Sequence, residues 1–196
     1  MDINEEPISD EQYVDSSNKI AMAVTQVGAD FSKEKAELSE FIVNLCSEFV
    51  SDEDKSKISN EIYGKLFDKQ IDIYLRGCEY FVNTFREYCL SNNIEVDIVD
   101  VDSINMNNGQ TQQGIIDSTT LFLQIVSERF DNPIAFNSEE LSFEERISEI
   151  VSLYIDTAFI MGLTDAQNLN YLNNKSGSLR FGGLTKLMEA IFPTVF

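Results

Sequence analysis

Residues 147–163, ISEIVSLYIDTAFIMGL, constrain the fold more than any other stretch of the chain. Large apolar side chains fill most positions after Ile150. A helix that is apolar around most of its circumference is expected to be buried, with partners on several sides. At 1.5 Å per residue the stretch spans about 25 Å, roughly the depth of a small domain. The rest of the chain is therefore expected to fold around it. Ser148, Glu149, Ser152, Asp156 and Thr157 interrupt the run, which argues against a membrane span. Asp156 sits in its middle and needs a partner, because an unpaired buried carboxylate costs several kcal/mol or stays protonated. Arg76 interrupts the other strongly apolar helix in the setting Ile-Tyr-Leu-Arg-Gly-Cys. The two are expected to form a buried structural pair, Arg76 with Asp156, rather than a catalytic acid and its modulator.

Helical periodicity recurs on either side of this stretch. Residues 1–15 hold six acids and no base and read as an acidic, flexible N-terminal arm. Ile20, Val24, Val27 and Phe31 then fall at helical spacing behind Ser16 and Ser17. Leu38, Phe41, Ile42, Leu45 and Phe49 make the stripe of a second helix. Ser51 and Asp54 resemble a capping box and mark the next start. From there to Leu90 the period holds without a proline, as one helix or as two broken near residues 64–69. The β-branched alternation of 94–104 reads as an extended connector, and 105–114, NMNNGQTQQG, as a polar loop. Residues 115–130 predict a further helix, closed by Asn132-Pro133. Ser142 and Glu145 form a second capping box ahead of the central helix. The expected architecture is all-α: a single bundle of six or seven helices over residues 16–172, followed by a linker and a C-terminal helical arm at 173–196.

Charge and composition remove several function classes. There is no histidine, so His-dependent zinc sites, Ser-His-Asp triads and Cys-His dyads cannot be built. A net charge of −20 opposes direct binding to phosphate backbones and to anionic membranes. Cys46, Cys78 and Cys89 have neither metal-ligand spacing nor an even disulfide framework, and they read as small buried hydrophobes. The N-terminus lacks the basic and apolar regions of a signal peptide, so a cytoplasmic setting is expected.

Motifs with chemistry in them are sparse. Glu37 and Glu40 form one E-x-x-E pair of the kind with which all-α nucleotide pyrophosphohydrolases hold Mg²⁺, but Glu61, Asp68 and Asp72 do not supply a second pair at the right spacing. DIVDVDSINMNNG (97–109) is rich in oxygen ligands, yet no register fits a calcium loop. Lys175-Ser-Gly-Ser lacks the glycines of a phosphate-binding loop. No catalytic residue, cofactor site or metal site is therefore expected.

What is left points to protein contact. Leu184, Leu187, Met188, Ile191 and Phe192 make an apolar stripe on a short amphipathic segment, and Val195 and Phe196 extend it. Gly182-Gly183 precedes it as a hinge, and residues 173–196 carry three bases against one acid in an otherwise acidic chain. Such an arm is expected to dock on a protein surface, preferably a second copy of this chain, with folding back onto its own bundle as the alternative. The expected function is a non-enzymatic acidic interaction or assembly module that forms homo-oligomers or binds a partner protein, with a composition like that of phage proteins. One alternative is an acidic nucleic-acid mimic that blocks a basic groove on another protein. Residues 87–174, with 15 acids and two bases, would supply its field. A Mg²⁺-dependent nucleotide pyrophosphohydrolase is the second alternative.

Overall fold

The computed structural model describes residues 31–47, 51–91, 93, 97–106, 109–131 and 141–173. These form five helices, α1 (Ser32–Ser47), α2 (Asp52–Ser91), α3 (Val101–Met106), α4 (Gly109–Asp131) and α5 (Phe143–Asn173), with no strand among the described residues. The all-α expectation holds. The acidic N-terminal arm, most of the helix expected near residues 16–31, and the C-terminal arm lie outside the described residues.

Both capping signals act at the expected helix starts. The Ser142 backbone N–H donates to Glu145 Oε2 at 2.8 Å, while the Glu145 N–H donates to Ser142 Oγ at 3.2 Å, closing both halves of the box ahead of α5. At α2 the Ser51 N–H donates to Asp54 Oδ2 at 3.1 Å. That helix runs unbroken for 40 residues, about 60 Å. Gly64 does not break it. Its position is exposed and a glycine there costs only about 1 kcal/mol, whereas Ile62 and Leu66 on the inner side are fully buried.

The side-chain pairs fix helix directions. α1 runs antiparallel to α2, since Glu34 meets Arg76 at 3.0 Å while Phe41 lies under Lys65. It is also antiparallel to α5, through Phe31 with Phe159 and Lys35 with Asp156. α4 is antiparallel to both as well, through Gln70 with Ser118, Thr111 with Asp165, and Phe122 with Tyr154. The long helices α2 and α5 therefore run the same way as a central pair. α1 and α4 occupy the same level of α2, which places them on opposite flanks.

The central pair can approach closely because each helix offers a glycine where they cross. A Cβ on Gly162 would lie 1.9 Å from the Tyr74 carbonyl oxygen, and one on Gly77 would lie 2.2 Å from the Phe159 carbonyl oxygen. No other residue type allows that backbone contact. The Cys78 thiol uses it, donating to the Gly162 carbonyl at 3.3 Å. Around the crossing, Ile73, Tyr74, Cys78, Phe81, Ile155, Ala158, Phe159 and Leu163 are buried.

α5 is central as expected, but it is not enclosed. Its buried positions, among them Ile147, Val151, Tyr154, Ile155, Ala158, Leu163 and Ala166, form one broad stripe, and Leu153 and Thr157 face solvent. By length and apolar content Phe143–Asn170 could cross a membrane, with a mean hydropathy of 1.4 over its most apolar window. The same composition serves a helix that packs against α1, α2 and α4 at once.

Two loop expectations are corrected. Of the expected connector, residues 97–100 are neither helix nor strand, and at Val101 the chain turns into α3, capped by Asp100, whose Oδ1 accepts the Ser103 N–H at 2.8 Å. The peptide group of Val99 finds its partner in a side chain, since Asn170 Oδ1 accepts its N–H at 2.8 Å. The polar run from Gly109 is helix, not loop. Thr111 occupies the inward stripe Thr111, Ile115, Thr119, Phe122, Val126, where a hydroxyl stands at a position that sequence patterning reserves for a hydrophobe.

Candidate functional site

Where α2 meets the start of α4, the bundle leaves a groove of about 320 Å³. Phe67 and Ile71 from α2 face Ile115 and Ile116 from α4 across its apolar floor. Tyr74, Asn105, Thr111 and Gln112 supply its polar atoms, none of them charged. On a helical wheel at 100° per residue, Phe67, Ile71 and Tyr74 fall within about 60° of one another, so one face of α2 makes one wall. The bases of that part of α2 point to the other flank. Lys65 lies over the Phe41 ring of α1, and Lys69 acts on Glu34. Asp68, next to Phe67 in the chain, and Asp102, one turn before Asn105, are exposed.

Behind the groove runs a polar seam. Asp165 Oδ2 accepts from the Tyr74 hydroxyl at 2.9 Å and from Thr111 Oγ1 at 2.6 Å, joining α2, α4 and α5 at one carboxylate oxygen. One turn earlier in α2, the buried Gln70 donates through Nε2 to Ser118 Oγ at 3.0 Å and accepts from Thr119 Oγ1 at 3.2 Å. Thr119 also meets the Tyr154 hydroxyl. Burial pushes the Tyr154 phenol up to about 12, with its hydrogen bond to Thr119 opposing the shift. These groups are satisfied by one another and fix how α4 sits on the central pair.

The two thiols of α2 are not activated. Burial, chiefly, pushes the Cys78 thiol up to about 12 and the Cys89 thiol to about 11, so both stay protonated near neutral pH. Among the described residues no three acids or thiols converge on a metal-sized site. Glu37 and Glu40 are exposed on α1 and do not meet a second acidic pair there.

The expected Arg76–Asp156 pair does not form. Arg76 Nη1 binds Glu34 at 3.0 Å and Nη2 binds Asp72 at 3.1 Å, while Asp156 Oδ1 takes Lys35 Nζ at 2.7 Å. Asp156 does have a basic partner, but from α1, and its side chain is 43% exposed rather than buried. The reason lies in helix rotation. Arg76 and Asp156 both turn towards α1, which brings its own acid and base, Glu34 and Lys35, and meets each with the opposite charge. Burial alone would raise the Glu34 carboxyl, but its own backbone N–H and the Arg76 guanidinium outweigh this and hold it below the usual range. The arm residues Leu184, Leu187, Met188, Ile191, Phe192, Val195 and Phe196 lie outside the described residues.

A second surface was not read from the sequence. Phe122 of α4 and Tyr154 of α5 meet edge to face at 5.6 Å. In antiparallel helices, the residues just before such a facing pair emerge on the same side of the junction. Here they are Leu121 and Leu153, 58% and 69% exposed. One turn along each helix, Ile125 and Ile150 line a hollow of about 240 Å³ with Leu141, Arg146 and Glu149. The result is an apolar strip across the α4–α5 junction. Each leucine alone looks like an ordinary member of a helical stripe, so only the junction reveals it. No family model, no curated protein and no solved structure matches the chain.

Proposed function

We propose that this chain is a non-enzymatic, acidic helical module that works by protein–protein contact, associating with a second copy of itself or with a partner protein in the cytoplasm. The observation that supports it best is the strip at the α4–α5 junction. Leu121 and Leu153 expose most of their surface beside a hollow floored by Ile125 and Ile150, on a chain of net charge −20. Contiguous apolar surface on a soluble body marks a contact site more often than a lone exposed leucine does. Arg146 and Glu149 at the hollow provide one charge of each sign, suited to a surface that meets its own copy across a two-fold axis. The apolar segment 184–196 is the second contact element.

Light scattering of the full chain over a concentration series tests this reading. We expect the mean mass to rise with concentration. Leu121→Glu combined with Leu153→Glu should raise the concentration needed by about tenfold or more, since each 1.4 kcal/mol of lost contact is a factor of ten. A full chain that stays monomeric at every concentration and captures no partner through this strip ends the proposal.

A further inference from the structure

The groove between α2 and α4 raises a separate question, which goes beyond the assembly reading: what covers it while the chain is alone. We infer that the occupant is the chain's own segment 184–196, docked in the groove it can reach from the end of α5.

Chemistry is the first argument. The groove offers an apolar floor of Phe67, Ile71, Ile115 and Ile116 and uncharged polar atoms at its edges. The exposed charges close in the chain to its lining residues include the acids Asp68 and Asp102, while Lys65 and Lys69 are turned to α1. Residues 174–196 present the complement. Ile191, Phe192, Val195 and Phe196 are apolar, and Lys175, Arg180 and Lys186 stand against the single acid Glu189. Opposite charge at the border and apolar surface at the centre is the layout of a specific contact.

Reach is the second argument. Asp165 holds the groove residues Tyr74 and Thr111, and Asn173 follows it by eight residues, about 12 Å along the axis of α5. Residues 174–183 then provide a tether containing three glycines and three serines or asparagines. A glycine- and serine-rich tether of that length spans about 18 Å on average, which covers the roughly 12 Å back along α5 to the level of the groove. At such a match the local concentration of the segment is millimolar, well above that of free chains in solution. The segment's own copy therefore wins the groove from a second copy until the protein is highly concentrated. Docking in this way withholds the second contact element until a partner exchanges for it.

The test uses the full chain and a thiol reporter. Gln112 is exposed at the groove's edge, and the described native thiols are all buried, so Gln112→Cys adds one accessible thiol. The rate of its reaction with a bulky maleimide is compared in two backgrounds, the natural segment and one carrying Ile191→Ser, Phe192→Ser, Val195→Ser and Phe196→Ser. Asn44→Cys, exposed on α1 on the flank opposite α4, serves as the control, and helical content by circular dichroism checks folding in both backgrounds. We expect labelling at position 112 to be slowed about tenfold by the natural segment and restored by the serines, equally at about 1 µM and about 100 µM protein. Equal rates in the two backgrounds would mean the segment does not lie there, and the inference falls. Protection that appears only as concentration rises would mean a second copy fills the groove, which overturns docking in the same chain while leaving the assembly reading in place.

Discussion

Replacing Gly162 by alanine tests the central helix crossing most directly. In an exposed helix the change is favourable, because alanine exceeds glycine by about 0.8–1.0 kcal/mol in helix propensity. At this crossing the new Cβ would lie 1.9 Å from the Tyr74 carbonyl oxygen, where real contacts are at least 3.0 Å. α5 and α2 must then move apart by more than 1 Å, and the obstacle is backbone, which no side-chain rotation relieves. A gap of 0.5–1 Å forfeits roughly a quarter to a half of each dispersion contact across it. Overpacking in a well-filled core costs about 1–3 kcal/mol, and the parting of Tyr74, Cys78, Phe159 and Leu163 adds to that. Set against the propensity gain, the net expectation is a loss of about 1–3 kcal/mol. Gly64→Ala is the internal control. Nothing lies within 4 Å of its added Cβ, so the same substitution should stabilise by up to about 1 kcal/mol. Urea unfolding followed by far-ultraviolet circular dichroism measures both. If Gly162→Ala unfolds at the same urea concentration as Gly64→Ala, or later, the account of the crossing is wrong.

Further substitutions test other contacts by the same unfolding measurement. Asp165→Ala removes the acceptor shared by Tyr74 and Thr111 and should cost about 1–3 kcal/mol, with Asp165→Asn losing less; no loss would mean the seam is not holding α4. Asp156→Asn should cost under about 1 kcal/mol and become silent in high salt, since the Lys35 pair is partly exposed; a larger, salt-independent loss would restore a buried role for this acid. Glu34 is held below the usual carboxylate range, so its contribution is present above the unfolded value of about 4.3 and is lost as pH falls through the lower folded value. Glu34→Gln should accordingly flatten the acid loss of stability, and unchanged curves would refute that assignment. With Cys78 and Cys89 raised by burial and Cys46 buried too, the native chain should label slowly with maleimide at neutral pH and fully in urea; rapid native labelling would place a thiol at the surface.

Local signals carried the helices themselves. Ser142 with Glu145, and Ser51 with Asp54, mark helix starts because capping is decided within four consecutive residues. The stripes of Leu38 with Ile42, and of Ile147 with Val151 and Ile155, mark inward faces because period alone puts them on one side. The absence of histidine restricts the chemistry without any structure. Contacts between helices were a different matter, because they depend on rotation and level. Nothing in the sequence sets Gly77 and Gly162 apart from other helical glycines; the crossing makes each the only residue that fits. Arg76 and Asp156 each found the opposite charge on α1, since Glu34 and Lys35 sit at the level where all three helices meet. Thr111 and Gln70 hid two inward stripes, because a buried polar side chain is acceptable only with a partner that tertiary structure brings. Leu121 and Leu153 are 32 residues apart in the chain and became one surface only when α4 and α5 packed antiparallel through Phe122 and Tyr154.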